Sequence, residues 1–373
     1  MSSVVSLIWA ARGRIALALV VLVVQFALLE GAFRTFSADE SGPAFQALFM
    51  QDPRVGYRLR PGATARYTTP EFSTDIAINP QGVRDDAPIG PKAPDERRIV
   101  VLGDSLVLSV QVPFEQTFCH LLELELNRAR IGGVRWRVIN AGVQGYGVVD
   151  EYLLFRHVAE TFEPDLVLIA AFPGNAASAA DKAAWLDNDG PTVGAGAATV
   201  SSLRRIVRSS MVLQQARLRY DQLRARLLAP TPERPLASFL KTPTPQLLRG
   251  LDVAQRATAM IAKRAEGVGA RTAVVLMTAR FQTDDPDFGR LAQAVKDAGG
   301  ELDRHAATDR YKAALAPLGL PTLDMLPILS AEPDRGALFF QRNVHFTRRG
   351  HVVASHALFT FLTSSGLAAD VAR

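Results

Sequence analysis

Cysteine is almost missing from this chain of 373 residues: Cys119 stands alone. One thiol excludes an intrachain disulfide framework and any CxxC redox or zinc motif. Cys119 lies among Phe118, Leu121 and Leu122 in an apolar helical stretch, so it reads as a small buried core residue. The common nucleotide and hydrolase signatures are missing too. No GxSxG, P-loop or GxGxxG pattern occurs, which leaves α/β-hydrolase, NTPase and dinucleotide-binding readings without support. His345 and His351 are not spaced as HExxH and no acidic ligand cluster accompanies them, so neither a metal nor another cofactor is expected. No repeat of 20 to 50 residues is visible.

What is present suits a folded domain: 48% of residues are hydrophobic and 21% charged. The length allows one large domain or two ordinary ones. A formal net charge of +5 suits nucleic acid, an anionic membrane surface or an acidic substrate. The N-terminus chooses among these. Residues Ile15 to Leu29 read IALALVVLVVQFALL, with Arg12 and Arg14 before them and Glu30 and Arg34 after. Extended to Phe33, the run approaches the roughly 20 residues that span a bilayer. Its shortness also fits a signal-peptide core, but Glu30 and Phe36 occupy unfavourable positions for cleavage. An uncleaved anchor is the preferred reading. Arg12 and Arg14 would hold the short N-terminal stub in the cytoplasm, with the rest outside the inner membrane, periplasmic in a Gram-negative cell. Nucleic acid is then not an expected partner.

Residues 1–37 form the stub and anchor in this reading, and residues 38–97 a Pro- and Gly-rich lead-in with short strands such as Thr74 to Ile78. Residues 98–373 alternate strand and helix. Strands are expected at Arg98–Gly103, Trp136–Asn140, Asp165–Ala171 and Thr272–Met277, and two further helices flank a short run at Thr322–Leu326. Helices are expected at Pro113–Asn127, Val148–Thr161, before Gly267, and at Thr347–Thr363. This alternation implies an α/β fold with a parallel sheet covered on both faces. A less patterned stretch at about 176–250 reads as an insertion. Its Arg-rich helix, Leu203 to Leu228, reads first as a solvated face; contact with anionic headgroups or an acidic polysaccharide is the alternative.

Four segments fall just beyond strands or before the last helix, where open parallel sheets form their crevice. They are Gly103-Asp104-Ser105, Asn140-Ala141-Gly142, Gly174-Asn175, and Asn343-Val344-His345 with Gly350-His351 behind it. Each has a plain structural reading: Ser105 as a helix cap, the Gly and Asn residues in turns, and each His as structural. Their order and placement together resemble the SGNH (GDSL-type) hydrolase superfamily over about Arg98 to Leu362. Gly56-Tyr57-Arg58-Leu59 and Ile78-Asn79-Pro80-Gln81-Gly82-Val83-Arg84-Asp85 resemble segments ahead of the GDS strand in membrane-anchored bacterial members.

The resemblance implies a three-layer α/β/α, flavodoxin-like fold and acyl transfer through an acyl-serine. Ser105 would be the nucleophile and His345 the general base. The N–H of Ser105, the N–H of Gly142 and the amide of Asn175 would form the oxyanion hole. An ester on a small molecule, glycan or lipid is the implied substrate, and hydrolysis the leading reaction. O-acyl transfer to an envelope polysaccharide, within polysaccharide machinery, or glycan binding by an impaired site are the alternatives. Three departures stand out. Asn343 occupies a position where the family commonly has Asp; the segment Gly174-Asn175-Ala176 lacks the Asp that often follows; and Ser109 replaces a common Gly. Asn343 can accept a hydrogen bond from the His345 ring but brings no charge, which predicts a slow site.

Overall fold

A computed structural model describes residues 20–31, 43–191, 212–213 and 234–372. The chain divides into two units, residues 1–46 with 193–230 and residues 47–192 with 231–373. In the first unit, residues 20–31 are helical and leave Val23 and Leu28 largely exposed. Among the described residues no helix is long and apolar enough to cross a membrane. The first part of the expected anchor, Ile15 to Leu19, and nearly all of the Arg-rich stretch lie outside the described residues.

The second unit opens with two antiparallel hairpins. Strand β1 (Phe49–Asp52) pairs with β2 (Gly56–Leu59), and β3 (Thr64–Thr68) with β4 (Ser73–Ala77). Five parallel strands follow: β5 (Glu96–Gly103), β6 (Arg135–Gly142), β7 (Leu166–Ala171), β8 (Arg271–Leu276) and β9 (Thr322–Asp324). Their order is β6-β5-β7-β8-β9. Runs of Val, Ile and Leu such as Ile99 to Leu102 are buried because both faces of the sheet are covered. Along β5, Ile99 and Val101 join a cluster with α2 (Phe118–Arg128) and the closing helix α5 (Arg348–Ser364). Against the opposite face lie α3 (Val148–His157) and α4 (Pro245–Gly267). This is the expected three-layer α/β/α arrangement.

Local chemistry moved some boundaries. Helix α2 begins at Phe118 rather than Pro113, because Thr117 is extended and its hydroxyl caps the His120 N–H; Pro113 precedes a short 3-10 turn. The run Thr322 to Leu326 splits after Asp324, whose carboxylate caps the Leu326 N–H and starts a helix at Met325. Helix α4 starts at Pro245 behind the cap of Thr244, inside the stretch read as an insertion. Its Gly250 lies against the 176–177 backbone, where an added Cβ would fall 2.0 Å from Ala176 O. Gly250→Ala should therefore lower stability by about 1–3 kcal/mol, read from the denaturant midpoint, despite its better helix propensity.

In an order of this kind, the strands on either side of β5 leave in opposite directions. The crevice is expected at the carboxyl end of β5. That end is Gly103, followed directly by Asp104 and Ser105.

Candidate active site

Asp104, not Ser105, caps the short helix α1 (Ser105–Leu108): its Oδ1 accepts the Leu106 N–H at 2.9 Å. Ser105 is the first helical residue, and its hydroxyl is left for other work. The Oγ lies 2.7 Å from His345 Nε2, a contact between residues 240 apart in sequence. His345 Nδ1 lies 2.6 Å from Asn343 Oδ1. An amide oxygen can only accept, so the ring proton sits on Nδ1 and the Nε2 lone pair faces the serine hydroxyl. The three side chains form a continuous chain in which Ser105 donates to His345 and His345 donates to Asn343.

Burial lowers the His345 pKa from 6.5 to about 4. The imidazole is therefore neutral over a wide pH range but a weak proton acceptor. The rate of covalent labelling at Ser105 should fall along an acid limb near pH 4. It should be flat through neutrality as far as His345 is concerned, since the base works only when unprotonated. A limb near 6.5 would show a histidine in its ordinary state.

Two of the three expected oxyanion donors are committed elsewhere. The Gly142 N–H is donated to Asn140 Oδ1 at 3.1 Å, and a Cβ at Gly142 would fall 2.4 Å from Leu108 N. Gly142 is buried and lets the strand end pack against α1. Asn175 Nδ2 donates to Asp104 Oδ2 and to Tyr146 O, each at 3.1 Å, which uses both amide hydrogens. The reverse amide orientation would set oxygen against two acceptors, so this one is determined. Asn175 thus ties the 143–147 turn to the loop of Asp104 and Ser105. On that turn Gly145 is exposed at φ +73°, and its N–H donates to nothing among the described residues. The Ser105 N–H is likewise undonated among the described residues. The sequence reading did not single out Gly145; the signal was a second Gly three residues beyond Gly142, in a turn closed by the Tyr146 N–H donating to Val143 O at 3.2 Å.

Behind these loops lies a set of buried acids. Burial raises Asp104 to about 6, against the opposing bonds from Leu106 and Asn175. Glu151 on α3 is pushed well above its ordinary value, first by burial and then by Asp104 and Asp150, and its Oε2 has no hydrogen-bond partner among the described residues. On the other side, His351 Nδ1 accepts the Phe118 N–H at 3.3 Å. Burial first, then Arg84 and His345, lower its pKa to about 3, so it serves as a neutral packing group. Burial likewise raises the Cys119 thiol, which keeps it an inert core residue.

The lead-in segment builds this site from below. Asn79 Oδ1 accepts the N–H groups of Gln81 and Val83, and Gly82 adopts φ +82° in that turn. The turn delivers Arg84 into the interior. Arg84 donates to Leu108 O at 2.8 Å, Val112 O at 2.6 Å, and Ser109 O. Ser109 takes the left-handed conformation, φ 57°, that a Gly would take at no cost; its hydroxyl bonds to Leu106 O at 2.7 Å and Val107 O at 2.9 Å. Two features of the sequence, an Arg in the lead-in and a Ser for Gly, meet at one loop.

No protein-family model matches this chain, and no curated protein does. Solved structures are similar to it. TesA shares 12% identity, covering 72% of this chain and 99% of its own, with a TM-score of 0.40. A lipase/acylhydrolase from Enterococcus faecalis shares 14%, covering 72% and 96%, with a TM-score of 0.41. The psychrotrophic esterase EstA from Pseudoalteromonas sp. shares 12%, covering 72% and 97%, with a TM-score of 0.39. The fold itself rests on the chain's own parallel sheet and its strand order.

Proposed function

We propose that this protein is a serine ester hydrolase of the SGNH type. The observation that carries the reading is the hydrogen-bonded series Ser105–His345–Asn343 at the carboxyl end of the first sheet strand. Ser105 Oγ attacks the ester carbonyl carbon while His345 Nε2 takes its proton. The carbonyl oxygen gains the negative charge, and the N–H groups of Ser105 and Gly145 receive it. The carbon–alkoxy bond then breaks, the departing alcohol takes the proton from His345, and an acyl-serine remains. Water, deprotonated by the same ring, releases the carboxylic acid and restores Ser105. No step draws on a metal or cofactor.

The substrate class in this proposal is an acyl or acetyl ester on a glycan, lipid or small molecule at the cell envelope. The apolar run at 15–29 and the exposed apolar side chains of helix 20–31 support an anchored, extracytoplasmic site. Full-length protein incubated with a serine-reactive phosphonate should gain one adduct on the peptide that carries Ser105, and should hydrolyse short-chain nitrophenyl esters. An intact, folded chain that forms no adduct, or forms it elsewhere, would remove Ser105 as nucleophile. Adduct formation without ester hydrolysis would favour transfer to an acceptor over hydrolysis.

A further inference from the structure

One carboxylate beside the catalytic loop has no part in the mechanism so far. Glu71 lies in the turn between β3 and β4, far in sequence from the loop that carries Asn343 and His345. Its carboxylate accepts the N–H of Gln341 at 2.7 Å, of Arg342 at 3.0 Å, and of Asn343 at 2.8 Å. Three successive N–H groups converging on one point make a concavity suited to an anion. Burial works against the charge on Glu71, but the bonds from Arg342, Asn343 and Gln341 and the Arg342 charge hold its pKa below the ordinary value.

The rest of the loop is braced as well. Phe340 N donates to His345 O at 3.0 Å, and Phe339 pairs with Phe346, closing the base of the loop. Arg280 donates to Phe340 O at 3.0 Å and to Gln341 O, while Asp287 balances its charge. The Phe72 and Phe340 rings meet at 5.2 Å. Within this frame the tip of the loop, 341–343, is held by Glu71.

We propose that Glu71 is the positioning residue of the Asn343–His345 pair and supplies, from outside the loop, the negative charge that Asn343 lacks. The proposal rests on the hydrolase reading of Ser105 and His345. The imidazolium formed during attack needs a nearby anion. Asn343 links the two: its N–H binds Glu71 and its side-chain oxygen binds the ring. The other ionisable groups around this assembly are Arg342, Arg280 with Asp287, Asp104 one residue before Ser105, and, behind the ring, His351 and Arg84. Asp287 is paired with Arg280, and Asp104 is bonded to the Leu106 N–H and to Asn175; Glu71 is the carboxylate bonded to the loop that carries His345.

The test compares full-length wild type, Glu71→Gln, Glu71→Asp, and Glu71→Gln combined with Asn343→Asp. Backbone-amide exchange is read at 341–343, and phosphonate labelling of Ser105 is read against pH. Glu71→Gln should speed exchange at 341–343 and slow labelling roughly tenfold. Its acid limb should move down by about 0.5 pH unit, because removing an anion disfavours imidazolium. Glu71→Asp should keep the limb in place, and adding Asn343→Asp to Glu71→Gln should restore most of the rate by returning charge to the ring. Unchanged exchange in Glu71→Gln would overturn the clamp. Faster exchange with an unmoved acid limb and no rescue by Asn343→Asp would overturn the charge role. A wild-type chain that exchanges as expected yet never labels would sink the hydrolase reading and the charge role, while the clamp would stand on exchange alone.

Discussion

Replacing Ser105 with alanine is expected to lower ester turnover by about 10³-fold or more, and replacing His345 with alanine by a comparable factor. The size follows from the 2.7 Å contact between Ser105 Oγ and His345 Nε2. A serine hydroxyl is a poor nucleophile unless its proton leaves as the bond forms, and His345 is the base in reach. Without Ser105 no acyl-enzyme forms; without His345 attack must proceed with the proton still on oxygen. Because each side chain works only through the other, the double replacement should be no slower than the slower single one. Multiplying losses in the double variant would show two independent contributions, contrary to the bonded pair. Asn343→Ala should cost less, since it removes orientation of the ring but no charge.

Arg84→Met is expected to destabilise the protein by about 2–4 kcal/mol and to slow turnover. Burial lowers the Arg84 pKa from 12.5 to about 10, and losing the charge removes that desolvation cost. Against this, Met leaves two carbonyl oxygens, of Leu108 and Val112, without their donor, at roughly 1–3 kcal/mol each, while Ser109 O keeps the Val112 N–H at 3.3 Å. The stranded acceptors outweigh the relieved charge. Arg84→Lys should fall between, since one ammonium cannot reproduce the planar fork that reaches all three. A denaturant midpoint unchanged in Arg84→Met would show that the loop finds other donors. The effect on turnover arises because these carbonyls belong to the loop that follows Ser105 and includes the strained Ser109.

The elements legible in the sequence were those made by local pattern. Apolar runs ending in Gly103 and Ala171 announced buried parallel strands because a sheet covered on both faces needs no polar alternation. Boundaries shifted where one capping side chain decided them, as at Thr117 and Asp324. Ser105, His345 and Asn343 were found as chemistry-bearing residues beside strand ends or a helix start. The donors were harder. Gly142 and Asn175 are the right residue types in the right segments, yet their N–H groups are taken by Asn140, Asp104 and Tyr146. Whether a donor is free depends on who else is near, and pattern alone carries no such information.

The sequence by itself determined a parallel α/β sheet, the loop that carries Ser105, and an amide in place of a carboxylate at Asn343. These depend on residue type and short-range periodicity, which a linear chain displays directly. Only the tertiary structure decided that Asp104 caps the helix and frees Ser105, that the N–H of Gly145 rather than Gly142 is undonated among the described residues, and that Arg84 and Glu71 of the lead-in hold the loops of Ser105 and His345. Each of these is a competition among donors and acceptors brought together by folding. Its outcome depends on distances between residues far apart in the chain.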